Sequence, residues 1–321
     1  MANQLPNLRL VLLMLAVLAL TACSKQVEER SQVVDPNLTV AEMLAQQHVQ
    51  EAIDSDDFPP AKIETYETYL ATIHSFTSQD DWLVNSHIIE TDNALVLVDV
   101  QFFEPYVSSL KDYIVSLGKP LDRIFLSKGH SDRWTGVEAF EGVPVYAQPP
   151  VIDEIRGQRD ETELDAATIK SLVVHSDIVD GLTYEFELVE NAEAQYQTLI
   201  RLPEIDVSIV QDMVSNNAHV QFADADIQSW VRNLAVLTVD AKEHQIFVGR
   251  GYPAQVDVRQ LGLQIRYLQT LKNILDRYNG SGAESLISEI SNAYPEFDAV
   301  AVLELSALKY HQAVSSQGRS E

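Results

Sequence analysis

Arg123-Ile-Phe-Leu-Ser-Lys-Gly-His-Ser-Asp-Arg-Trp-Thr-Gly136 holds a short apolar run, Ile124 to Leu126, that ends in a polar loop carrying Lys128, His130, Asp132 and Arg133. A buried strand feeding such a loop is a common way to build a metal site, because side chains at i and i+2 share a face. Two of the four residues, His130 and Asp132, are metal-ligand types. The other two, Lys128 and Arg133, are cations that repel a metal.

The flanking sequence supplies a frame for this loop. Ser86-His-Ile-Ile-Glu-Thr91 and Asn93-Ala-Leu-Val-Leu-Val-Asp99 predict a hairpin turning at Asp92-Asn93, with a second strand apolar enough to be buried on both faces. Val107, Leu110, Ile114 and Leu117 share one side of a predicted helix over 104–117, which Gly118 and Pro120 end. Further strands are expected over 124–126, 143–147, 182–189, 198–202, 207–210 and 245–248, and a helix containing Trp230 over 227–239. Residues 149–180 read as mainly helical and charged. After Gly251-Tyr-Pro253 the composition turns helical, broken by Gly280-Ser-Gly282. Alternating strands and helices make the class α/β with mixed sheets.

Composition narrows the function. The chain has 321 residues, 46% hydrophobic and 22% charged, which is globular composition. Acids outnumber bases 48 to 22, a net charge of −26 that disfavours phosphate backbones and so argues against nucleic acid as a partner. No Gly-x-Ser-x-Gly elbow, phosphate-binding glycine loop or dinucleotide fingerprint occurs. Arg9 precedes an apolar run over 10–20 that closes on Leu20-Thr-Ala-Cys23, the pattern of a secretion signal. The small residues before Cys23 resemble the lipobox of bacterial lipoproteins, which implies lipidation at Cys23. Ser24 after it implies an outer-membrane anchor facing the periplasm. Cys23 is the one cysteine, so the core must be stable without a disulfide. The expected organisation is a signal peptide over 1–22, a polar tether and packing helix over 23–57 with an amphipathic segment at 40–53, a main domain over 58–255 and a helical extension over 256–321.

The order of parts resembles the metallo-β-lactamase fold superfamily, an αββα sandwich. There a strand pair ends in Asp, as Leu95-Val-Leu-Val-Asp99 does here. The loop Thr-His-x-His-x-Asp-His stands as Ser127-Lys-Gly-His-Ser-Asp-Arg133, and the Gly-Gly after it as Trp134-Thr-Gly136. A ligand-bearing loop falls at Asn191-Ala-Glu-Ala194. The strand ending in Gly-Asp appears as Ser208-Ile-Val-Gln-Asp212, and Gly-His-Gly as Gly249-Arg-Gly251. The likeness runs over 80–255. The ending Gln211-Asp212, with His219 seven residues on, is similar to one hydrolase subgroup.

The resemblance implies two zinc ions activating a bridging hydroxide. The first metal's ligands fall on Lys128, His130 and Glu193, the second's on Asp132, Arg133 and Arg250, and the bridging carboxylate on Asp212. Three imidazoles are thus exchanged for side chains that are cationic at neutral pH, so a dinuclear zinc centre is not expected. Two readings stay open. In one, Lys128, Arg133 and Arg250 neutralise Asp132, Asp212 and Glu193 as an ion-pair network with bidentate arginine pairs, in a non-catalytic protein whose cleft takes an anionic ligand or an envelope protein. In the other, one zinc, iron or manganese held by His130, Asp132, Asp212 and Glu193 serves a hydrolase, with Asp132 and His219 as catalytic groups, His219 at the cleft rim, and the three cations as substrate contacts. His87 is expected to be a satisfied core residue, and His48, His74, His175, His244 and His311 to lie at the surface or in loops.

Overall fold

Leu95–Val98 (β4) is the spine of the architecture, and its four apolar residues are all buried. Successive side chains of a strand point to opposite faces. Leu95 and Leu97 accordingly face one apolar cluster, and Val96 and Val98 face another. A strand that is apolar on both faces requires cover on both, so the sheet holding β4 must lie inside the molecule. The computed structural model describes residues 58–157, 168–240 and 244–317.

Before β4 come β1 (Lys62–Glu67), β2 (Thr72–Thr77) and β3 (Asn85–Glu90), and after it α1 (Glu104–Ser116), β5 (Leu121–Phe125), β6 (Val145–Ala147), α2 (Pro149–Gly157) and β7 (Lys170–Ser171). The first sheet runs in order β1 to β7, antiparallel as far as β4 and parallel from there. Val107, Leu110 and Ile114 of α1 and Val151, Ile152 and Ile155 of α2 cover its outer face.

The second sheet is made from β8 (Ser176–Val179), β9 (Leu182–Glu190), β10 (Tyr196–Leu202), β11 (Val207–Asn216), β12 (Gln245–Gly251) and β13 (Gln255–Val256), in spatial order from β13 to β8. Its inner residues, among them Tyr184, Phe186, Ile200 and Ile209, meet Val96, Val98 and Phe125 of the first sheet. Its outer face packs on α3 (Ile227–Asp240), α4 (Val258–Arg277), α5 (Ala283–Ala293) and α6 (Val300–Gln317). Trp230 of α3, Leu268 of α4 and Leu303 of α6 are fully buried there beside Val214 of β11. The helical C-terminal part therefore belongs to the outer layer of an αββα sandwich. No helix among the described residues is long and apolar enough to cross a membrane.

The expected hairpin, α1 and the later strands are all present, with three differences. The described part of residues 149–180 is helical only over Pro149–Gly157, and the part from residue 168 carries β7 and β8, the latter with β-branched Ile178 and Val179. Second, β1 and β2 precede Trp82, where no strand was expected. On β1 most residues are exposed, so the strand lacks the apolar alternation that marks a half-buried one. Third, β13 is too short to leave a periodic signal. The signal peptide, Cys23, the tether to residue 57 and the amphipathic segment at 40–53 lie outside the described residues.

Leu97→Ala, at a fully buried position facing α1, is expected to cost about 2–5 kcal/mol of stability, measured by urea unfolding. A cost below about 1 kcal/mol would mean that the outer core does not depend on this strand.

Candidate functional site

Five segments converge at one end of the two sheets. The chain leaves β5 at Ser127, whose carbonyl accepts from the Thr198 N–H of β10, and Lys128 bridges to Gln197 of the same strand. This loop therefore crosses from the first sheet to the second. A 3-10 turn at Ser131–Arg133 then brings Asp132 and Arg133 inward. Glu193 comes from the tight turn between β9 and β10, entered through Asn191 in the left-handed region.

Asp212 sits where β11 shifts register against β12, next to Gln211 at φ 45°. An irregularity of this kind re-aims a side chain out of the regular alternation. Gly249 permits the approach, because a Cβ there would stand 2.3 Å from Asp212 Oδ1. Arg250 follows on β12 and bridges to Val84 across the sheets.

The side chains form one buried cluster. The Lys128 ammonium lies 2.7 Å from Glu193 Oε2, 2.5 Å from Asp212 Oδ2, 3.9 Å from Asp132 Oδ1 and 3.1 Å from His130 Nδ1. Arg133 places one nitrogen 2.5 Å and 2.6 Å from the two oxygens of Asp212, and its other terminal nitrogen donates to the Asn85 carbonyl. Arg250 donates to Asp132 at 2.7 Å and to the Trp82 carbonyl. Lys128, Arg133 and Arg250 are at most 1% exposed, and Asp132, Asp212 and Glu193 at most 3%. Three carboxylates thus face three cations out of reach of bulk water. Neither arginine makes the expected two-nitrogen fork to one carboxylate, because each sends its second terminal nitrogen to a backbone carbonyl, Arg133 to Asn85 of β3 and Arg250 to Trp82 in the turn before it.

Electrostatics follow the geometry. Burial alone would raise the carboxyl pKa of Asp132, but Lys128, Arg133 and Arg250 outweigh it and bring the group down to about 2. Asp212 is held well below the ordinary range, chiefly by Arg133 and Lys128 against the same burial penalty, and Glu193 is lowered by Lys128 and His130. For Lys128 burial favours the neutral amine, yet Asp132, Asp212 and Glu193 raise its pKa, so the ammonium form is held.

A metal does not fit this donor set as it stands. All four residues of the single-metal expectation, His130, Asp132, Asp212 and Glu193, are brought together, and the Lys128 ammonium occupies the space they share. A divalent ion there would meet a fixed positive charge within van der Waals distance of its ligands. Lys128, Arg133 and Arg250, expected in that reading as substrate contacts, are all buried and engaged by carboxylates. His130, with a side chain 20% exposed, is the cluster's most accessible member.

His219 does not stand at a cleft rim. It is 1% exposed, its Nδ1 pairs with the Tyr267 hydroxyl at 3.0 Å, and its ring packs against Phe297. Burial takes its pKa down to about 4, which keeps the ring neutral. His87 is a satisfied core residue, as expected, held between Ser75 Oγ and the Val248 carbonyl. His74 is buried rather than superficial, set between Tyr113 and Glu90.

One element beside the cluster escaped the sequence. Asp99, at φ 57° after β4, accepts from the Ser127 N–H and hydroxyl and from the Gln211 amide. It binds the first sheet's loop to the bulge that carries Asp212. Burial raises its pKa to about 6 despite Arg133 and the Ser127 hydrogen bonds. The sequence marks Asp99 as the end of a strand, but no local pattern links it to Gln211.

Two predictions follow from these charges. Lys128→Met leaves buried carboxylates uncompensated and is expected to cost about 3–5 kcal/mol in urea unfolding. Lys272→Met, which breaks a surface pair with Asp276, should cost under about 1 kcal/mol. For pH, His87 and His219 both have folded-state pKa values near 4, below the ordinary 6.5. The unfolded chain therefore binds more protons between those values, and stability falls as pH drops from 7 to 5. Asp99, raised from 3.8 to about 6, acts with the opposite sign in the same window. Asp99→Asn should accordingly steepen the loss, by on the order of 1–3 kcal/mol across the window, in urea unfolding at graded pH.

No family model and no curated protein sequence matches the chain. Solved structures do match by fold. A metallo-β-lactamase from Pontibacter korlensis is 18% identical with a TM-score of 0.53, covering 65% of this chain and 99% of its own. The FIM-1 metallo-β-lactamase from Pseudomonas aeruginosa, in a mono-zinc form, is 19% identical with a TM-score of 0.54, over 66% and 96%. The metallo-β-lactamase IND-7 is 16% identical with a TM-score of 0.55, over 66% and 100%. Two mixed sheets between helical layers, with the cluster at their shared end, give this chain the metallo-β-lactamase fold.

Proposed function

We propose that this chain is a lipid-anchored protein of the bacterial envelope whose metallo-β-lactamase-type domain is non-catalytic, with a buried ion-pair cluster standing in place of a metal centre. The observation that carries this reading is the position of the Lys128 ammonium among His130, Asp132, Asp212 and Glu193. A protonated amine supplies the positive charge that those carboxylates need in a dry site, but it cannot coordinate a water and lower its pKa to make a hydroxide as a metal ion does. The arginines complete the substitution, since a guanidinium neutralises a buried carboxylate and cannot ligate a metal. Fold similarity by itself does not carry an activity over, so β-lactam hydrolysis is not part of the proposal.

The anchor rests on the sequence before residue 24. The apolar run over 10–20 and Leu20-Thr-Ala-Cys23 support lipidation at Cys23, and Ser24 supports the outer membrane. Such a protein would act by binding a small anionic ligand or an envelope protein. Because Lys128, Arg133 and Arg250 are all engaged, binding at the former cleft would have to use the groups around His130.

Metal analysis tests the central claim. The full chain purified without chelator is expected to hold well below one equivalent of zinc, iron or manganese. Near-stoichiometric metal that is lost in His130→Ala would overturn the proposal. Replacing Lys128, Arg133 and Arg250 together by His should raise zinc affinity by several orders of magnitude, on the order of the gain that a full imidazole set provides. A well-folded triple variant with unchanged zinc affinity would show that these residues do not occupy ligand positions.

A further inference from the structure

The outer face of α4 carries an extended concavity whose charge runs against that of the chain as a whole. Three hollows follow one another along it, neighbours sharing wall residues. The first, about 790 Å³, lies between α4 and residues 253–257 and ends at Asn216. The second, about 380 Å³, shares Leu263 and Arg266 with the first and reaches Tyr294 and Phe297. The third, about 480 Å³, shares Gln269 and Asn273 with the second and extends to Val231 and Arg232 on α3. Leu263, 42% exposed, stands where the first two meet.

In the chain as a whole acids outnumber bases 48 to 22, yet these walls hold Arg232, Arg259, Arg266 and Lys272 against Asp257 alone. Arg259 is paired with Asp257, and Lys272 with Asp276. Arg266 is exposed and makes no ion pair among the described residues. The remaining polar lining is largely carboxamide, including Asn217, Gln260, Gln269 and Asn273, which donate and accept equally well.

We infer that this groove binds an acidic, extended peptide segment of a partner protein. Arg259 and Arg266 are seven residues apart on the helix, which puts them about 10.5 Å apart along its axis. Asn273 continues the stripe at the same interval. A polyproline-type chain has three residues per turn and rises ~3.1 Å per residue, so acids at every third position share one face about 9.3 Å apart. That spacing is within about 1.2 Å of the rise from Arg259 to Arg266, and the Arg259–Asp257 pair is exposed enough to exchange partners. Such a chain also leaves its backbone carbonyls unpaired, which suits a row of carboxamide and guanidinium donors, and the half-buried rings of Tyr294 and Phe297 offer flat apolar contact. A phosphate headgroup would instead need several donors converging on one point, and here the cations are spread along the helix. A second copy of the chain would bring a net charge of −26 toward another of the same sign. This inference concerns a different face from the ion-pair cluster and stands or falls independently of it.

The test uses the full chain in mild detergent and the fluorescein-labelled peptide Glu-Pro-Pro-Glu-Pro-Pro-Glu, read by fluorescence anisotropy, with its lysine counterpart as control. The glutamate peptide should bind, the lysine peptide should not, and affinity should fall as salt rises. Arg266→Glu should weaken binding at least about ten-fold, while Arg156→Glu, an exposed arginine on α2, should leave it unchanged. Because Arg266 is exposed, the variant should keep the wild-type circular dichroism spectrum. The proposal is overturned if the glutamate peptide fails to bind, or if Arg266→Glu binds it as tightly as the wild type. It is overturned equally if phosphatidylglycerol vesicles, rather than the peptide, depend on Arg266. Self-association abolished by Arg266→Glu, with no peptide binding, would assign the groove to a second copy.

Discussion

A charge taken out of water must meet an opposite charge at close range, and the interior of this protein is arranged around that requirement. Asp132, Asp212 and Glu193 arrive from three different segments and would repel one another if left alone. The Lys128 ammonium touches or approaches all three, and Arg133 and Arg250 take up the remaining carboxylate charge. Because the acids and bases come from both sheets, neutrality also fixes how the two sheets meet at this end. Arg133 reaches the Asn85 carbonyl and Arg250 the Trp82 carbonyl, so the cations tie the approach to β3 as well. Buried ion pairs seldom add net stability over apolar packing, and this cluster is not fully satisfied. Asp132 Oδ1, Arg133 Nε and Gln211 Oε1 are buried without hydrogen-bond partners. Its physical merit is specificity, since few other arrangements of these loops would leave every buried charge compensated.

The backbone pays for that placement in identifiable ways. Asp99 and Gln211 both hold left-handed conformations that side-chain-bearing residues avoid, and the two are hydrogen-bonded to each other. Gly249 leaves room for the Asp212 carboxylate, and Gly251, at φ 88°, lies where a Cβ would fall 2.0 Å from the Asn216 carbonyl. The Gly-Arg-Gly segment is therefore constrained on both sides of Arg250 by the closeness of β11 and β12, whatever residue stands between the glycines.

Away from the cluster, the helical C-terminal part contributes more than cover. Asp298, just before α6, pairs through its backbone with Asn217 and His219, and Ala299 and Val302 pack with Ala218, Trp82 and Leu83. Trp82 in turn supplies the carbonyl that holds Arg250. The same helical layer presents the α4 groove on its outer side. One layer thus supports the buried charges from behind and carries the most distinctive open surface.

Much of this was legible in the residues themselves. The apolar pattern of Leu95–Val98 dictates burial on both faces, because a side-chain period of two leaves no polar face for water. The 3.6-residue spacing of Val107, Leu110 and Ile114 dictates the helix that covers it. The presence of Lys128, Arg133 and Arg250 in the same set of segments as Asp132, Glu193 and Asp212 is a matter of residue identity, and it shows that cations accompany these carboxylates. Weakly patterned β1 and the strands after Gly157 were not legible, since edge strands draw their order from neighbours rather than from their own periodicity. Nor was the fate of His219, because burial among Tyr267 and Phe297 depends on residues 48 and 78 positions away. The amino-acid sequence supplied three cations for three carboxylates, and left open whether those charges pair with one another or hold a single metal. Only the tertiary structure decided that Lys128 stands at their common centre, because hydrogen-bond distances between segments remote in sequence are set by how the two sheets pack.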